Sequence, residues 1–149
     1  MQINYVIATY AGKGTKLHIE PKEKALKLHC QRLSKFKNNL KSITIMRAND
    51  ENSKNNSYEG YYDIEEYTKN ITPTTHIVDC ENYCYSFGQW LLCYEQTKEE
   101  YEYYIFQEDD YVPNVDNFDT IYIDAYKKQF PEDIGVMCGM LLGTPNRLQ

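Results

Sequence analysis

Short apolar, β-rich runs alternate along this chain with amphipathic stretches, and that alternation restricts its fold more than any other feature. The runs lie at 3–9, 42–46, 76–80, 103–107 and 134–138. Between them the apolar period changes from that of a strand to that of a helix. After Pro21, which suits a helix's first turn, Leu26, Cys30, Leu33 and Leu40 fall at i, i+4, i+7 and i+14, and the pattern fades near Asn38-Asn39. Ser86 and Gln89 have capping-box spacing ahead of Phe87, Trp90, Leu91, Cys93 and Tyr94, and Phe118, Ile121, Tyr122 and Ala125 mark a third helix. The polar residues 49–60 cannot pack a core and read as a long mobile loop. Strand, helix, strand, strand, helix, strand, helix, strand predicts an α/β domain, a mainly parallel sheet flanked by helices.

Composition narrows the setting. At 149 residues the chain can bury about two-thirds of its unfolded surface, and 42% apolar with 26% charged residues excludes disordered and fibrous classes. No run approaches the roughly 18 to 20 apolar residues of a spanning helix, so no membrane span is expected. The N-terminus lacks a basic region followed by an apolar stretch, so no secretory signal is read and a cytoplasmic location is expected. Five cysteines, at 30, 80, 84, 93 and 138, contain no CxxC pair and read as structural thiols. The net charge of −6 conceals a separation. Ten basic and two acidic residues lie between 13 and 47, whereas 99–126 holds nine acidic residues and no Lys or Arg. Overall acidity without a recognition motif speaks against nucleic acid.

Ligands of parallel sheets bind outside the carboxyl ends of the strands, where βα loops converge. The run Glu108-Asp109-Asp110 ends the fourth predicted strand at such a position. Three adjacent carboxylates repel one another, and a divalent cation completed by phosphate oxygens offsets that repulsion. A candidate site for Mn²⁺ or Mg²⁺ follows.

With a first strand ending in Ala8-Thr9-Tyr10, a strand at 42–46, an Asn-containing junction at 81–88, the Glu-Asp-Asp run and Pro131 to Gly139, the chain resembles the nucleotide-binding half of GT-A glycosyltransferases. That resemblance implies a Rossmann-like GT-A fold and transfer of a sugar from a nucleotide-sugar donor, UDP-linked by family habit, to the hydroxyl of a carbohydrate or glycoconjugate acceptor. It implies Asp110 as direct metal ligand, with Glu108 in place of the first Asp of the D-x-D-type motif and Asp109 on the donor ribose. Ala8, Thr9 and Tyr10 would line the base and ribose pocket, and Asn49 or Asp50 would read the base edge. Asn82 and Ser86 fall where family members approach the donor, although Ser86 also serves as a helix cap. In inverting enzymes of that family a carboxylate base deprotonates the acceptor hydroxyl, and it usually lies in the acceptor half, beyond the fifth strand. Only eleven residues follow Cys138 here. The expectation is one GT-A-like domain over 1–149, minimal or truncated, without a nameable base.

Two other functions compete. Residues 11–17, Ala-Gly-Lys-Gly-Thr-Lys-Leu, resemble the glycine-rich triphosphate loop of sugar nucleotidyltransferases, with Lys13 and Lys16 where that family has arginine. A non-catalytic nucleotide-sugar-binding module is the other. Trp90, mid-helix among apolar residues, reads as core, and His18, His29 and His76 show no ligand spacing.

Overall fold

A computed structural model describes residues 1–10, 16–49 and 64–132, without the side chains of 16–22 and 49. The elements are β1 (Ile3–Tyr10), α1 (Lys16–Lys35), β2 (Ser42–Asn49), α2 (Ile64–Thr68), β3 (Thr74–Glu81), α3 (Tyr85–Thr97), β4 (Tyr103–Glu108) and α4 (Phe118–Gln129). The four strands form one sheet in the order β3-β2-β1-β4, and every pairing is parallel. This is the expected α/β arrangement. The order reverses beside β1, because β2 and β3 extend to one side of it and β4 lies on the other, and ligand crevices form at that kind of position.

Strand alternation assigns the two faces. Ile3, Tyr5 and Ile7 of β1, Ile43 and Ile45 of β2 and Ile105 of β4 share a core with Leu26, Cys30 and Leu33 of α1, Ile64 of α2, and Phe118 and Ile123 of α4. Val6 and Met46 point the other way and meet Cys93 of α3, flanked by Trp90, Tyr104 and Phe106. The predicted stripe is real and buried in α1 for Leu26, Cys30 and Leu33, while Leu40, also buried, lies beyond the helix's end. None of the described helices is long and apolar enough to cross a membrane.

Several boundaries differ from the sequence reading. α1 begins at Lys16, five residues before Pro21, so the proline forgoes an intrahelical hydrogen bond instead of occupying a position where none is due. It ends at Lys35 because Asn38 Nδ2 donates to the carbonyls of Leu33 and Phe36, taking acceptors that a continuing helix would have used. Asn49 belongs to β2, paired with Glu81, instead of opening a loop. α2 was not foreseen. It is a five-residue helix whose one buried side chain is Ile64, too short to show a period. The predicted strand at 134–138 and the rest of the 49–60 stretch lie outside the described residues.

Candidate functional site

β1 and β4 pair in register through Ala8 and Glu108, so their carboxyl ends adjoin. Alternation then separates the acidic run. Glu108 turns to the face covered by α3, where its Oε1 accepts the Ser86 hydroxyl at 2.6 Å. Asp109 turns to the opposite face and is buried; its Oδ2 accepts the Thr9 hydroxyl at 2.9 Å. Asp110 is exposed. The repulsion anticipated between three neighbouring carboxylates is thus relieved by divergence, with a hydroxyl donor for each of the first two.

Among the expected site residues, the fold unites Ala8, Thr9, Glu108, Asp109 and Ser86 at this strand end, with Asp110 beside them. Tyr10 is the half-buried last residue of β1, opposite Ala48. Asn49 ends β2, one strand from β1, and Asp50 lies outside the described residues. Asn82 follows β3, two strands from β1, and is half-buried. Lys13 lies outside the described residues, and Lys16 opens α1.

The capping box at Ser86 and Gln89 does not form. α3 starts at Tyr85, and Cys84, two residues before Ser86, takes the N-cap position in a left-handed conformation without a side-chain cap bond. Ser86, already inside the helix, donates to Glu108, because a carboxylate oxygen is a stronger acceptor than the local alternatives. Gln89 is turned inward, and its buried Oε1 has no hydrogen-bond partner among the described residues.

His29, which shows no ligand spacing in the sequence, belongs to this neighbourhood. It lies on the buried stripe of α1, three residues after Leu26, with no exposed surface. Its Nδ1 is 3.2 Å from the carbonyl oxygen of Asp109, and its Nε2 is 2.8 Å from the Tyr5 hydroxyl. Burial pushes the ring's pKa down to about 4, with the Asp109 bond acting in the opposite direction, so the imidazole is neutral at pH 7. A carbonyl can only accept, which puts the proton on Nδ1 and leaves Nε2 to accept from Tyr5. Burial likewise holds the Tyr5 hydroxyl well above its ordinary pKa, aided by Tyr122. The signal was available at position 29, i+3 on an apolar stripe whose other members are Leu26, Cys30 and Leu33.

No group of three or more His, Cys, Asp or Glu among the described residues is arranged to hold a metal ion. The described cysteines are unpaired thiols, and burial pushes Cys30 up to about 12 and Cys80 to about 11, far from thiolates at neutral pH. Trp90 packs against Phe106 and donates from Nε1 to the Gln107 carbonyl, half-buried beneath α3. Comparison with protein-family models, curated proteins and solved structures returns no match.

Proposed function

We propose that this chain is a metal-dependent glycosyltransferase of GT-A-like fold, taking its sugar from a nucleotide-sugar donor, UDP-linked, held at the carboxyl ends of β1 and β4. The observation that carries the reading is the joining of Thr9 to Asp109 across adjoining strand ends, with Asp110 exposed beside them at the reversal of strand order. The donor set is carboxylate oxygen, which suits Mn²⁺ or Mg²⁺. Asp110 would hold the ion together with diphosphate oxygens, as these cations usually bind through one or two carboxylates plus substrate phosphate. When bound, such an ion stabilises negative charge developing on the leaving diphosphate. Glu108, tied to Ser86, would support the turn, and Thr9 and Asp109, joined and buried behind it, would brace the strand end that the ribose meets.

Calorimetric titration of UDP and UDP-glucose, with Mn²⁺ and with EDTA, tests the reading. Wild type is expected to lose at least tenfold in UDP affinity without the metal, and Asp110→Ala to bind equally weakly in both conditions. Equal binding by wild type with and without metal, or undiminished binding by Asp110→Ala, overturns it. Donor binding with neither hydrolysis nor transfer assigns the chain to the non-catalytic module instead.

A further inference from the structure

The acidic run is gripped from a direction that its own sequence does not reveal. The carbonyl contacted by His29 belongs to the peptide joining Asp109 to Asp110; that peptide's plane fixes the axis from which the Asp110 side chain leaves, and the bond from the Tyr111 amide to the Glu108 carbonyl restricts rotation about it. Asp109 is held by Thr9 of β1 through its carboxylate and by α1 through its carbonyl. The grip is supported in turn. The Tyr5 hydroxyl fixes the far side of the imidazole, and the Tyr5 ring packs edge-on against both His29 and Phe118, the first residue of α4. Tyr5, His29 and Thr9 are all almost wholly buried, so water does not compete for these bonds.

We infer that His29, as its Nδ1–H tautomer braced by Tyr5, is a positioning residue that sets the Asp109–Asp110 peptide and thereby aims the Asp110 carboxylate at the cation of the proposed donor site. This rests on the proposed function for its consequence in binding, but the geometric part can be judged without it. Asparagine at position 29 places an amide N–H where Nδ1–H stands, whereas leucine fills space without a donor.

The test combines nitrogen-15 NMR of the wild-type ring with calorimetry on His29→Leu, His29→Asn and, as a neighbouring core control, Cys30→Ala. Wild type is expected to show the Nδ1–H tautomer. His29→Leu should lose about tenfold in Mn²⁺-dependent UDP affinity, His29→Asn should recover most of it, and Cys30→Ala should stay within twofold of wild type while losing stability. An Nε2–H tautomer, or a folded His29→Leu that binds UDP within twofold of wild type, overturns the inference. If His29→Leu does not fold, the tautomer and the affinity of His29→Asn decide. Should wild type bind no UDP at all, the glycosyltransferase reading falls, and the backbone amide shift of Asp110 becomes the readout. A shift near wild type in His29→Asn and displaced in His29→Leu upholds the positioning role; the same shift in both refutes it.

Discussion

The two faces of the sheet are built differently. The face under α1, α2 and α4 is sealed by aliphatic side chains, among them Ile3, Ile7, Ile43 and Ile45, each without exposed surface. The other face carries α3 alone among the described helices packed there, and its interior is part polar. Asn4 receives the Thr44 hydroxyl and approaches the Cys93 sulfur, while Gln89 is buried with its oxygen unsatisfied among the described residues. Around that interior stand half-buried aromatics, Trp90, Tyr104 and Phe106, and the outer side of α3 exposes Phe87, Leu91 and Tyr94. Stability should therefore reside mainly in the first face. The site draws on both, since Asp109 is anchored in the sealed face and Glu108 on the looser one.

Side-chain truncation should expose this contrast most visibly. Ile45→Ala is expected to cost about 3 to 4 kcal/mol, because a fully buried branched side chain leaves a cavity that neighbours fill only in part. Leu91→Ala on the exposed side of α3 should cost under about 0.5 kcal/mol. Urea denaturation of both variants measures the difference; equal losses would show that the outer side of α3 contributes as much as the sealed core.

Acid should attack the sealed face through His29. Its folded pKa of about 4 lies below the ordinary 6.5, so the unfolded chain binds the proton more readily. The folded state is favoured fully above pH 6.5, and this advantage is lost as pH falls toward 4, a loss of about 3 kcal/mol from this residue. Denaturation midpoints of wild type and His29→Asn between pH 7 and 4 should converge with acidification. Parallel pH curves would mean that the imidazole is not held neutral.

The same contrast explains what was legible in the sequence. The strands follow from the apolar, β-rich runs at 3–9 and 42–46, but β1 is buried on both faces, so its sequence carries no period of two to say which side chain meets which helix. The acidic run was visible too, but the divergence of its members depends on β4 continuing through Glu108, one residue beyond the expected end. The contacts that organise the site were hidden. Thr9 and Asp109 are 100 positions apart and meet only because β4 pairs with β1, a strand order that no local pattern encodes. The burial of His29 was legible from its place on the apolar stripe of α1, but its partner was not, since ligand spacing says nothing of a histidine that holds a backbone carbonyl 80 positions away.

On the looser face the constraint is backbone rather than volume. A Cβ at Gly88 would sit 1.7 Å from the Tyr83 carbonyl oxygen, an atom of the backbone that cannot swing aside. Gly88→Ala should therefore displace the segment entering α3 and cost about 2 kcal/mol despite the small side chain. It should also loosen the bond from Ser86 to Glu108. Calorimetric unfolding checks the first effect, and the Ser86 amide resonance checks the second. An Ala variant as stable as wild type would show that Tyr83 is free to move.

The smallest effect concerns how each face receives its helix. α4, on the sealed face, is entered through Asn117 at φ 56, a residue type that tolerates the left-handed region. α3 is entered through Cys84 at φ 55 and Tyr85 at φ 53, neither of which does. Strain of this kind costs roughly 1 to 2 kcal/mol for a residue bearing a Cβ. Glycine at 84 would remove it, and the extra freedom that glycine gives the unfolded chain returns about 0.4 to 1 kcal/mol of that gain. Cys84 is exposed, so no packing is lost. Cys84→Gly should accordingly stabilise the protein by about 0.5 to 1 kcal/mol, and Cys84→Ala, which keeps the Cβ, should not. If both variants gain equally in thermal unfolding, the thiol and not the backbone is the source. If only glycine gains, the looser face carries strain that the sealed face avoids through its choice of asparagine.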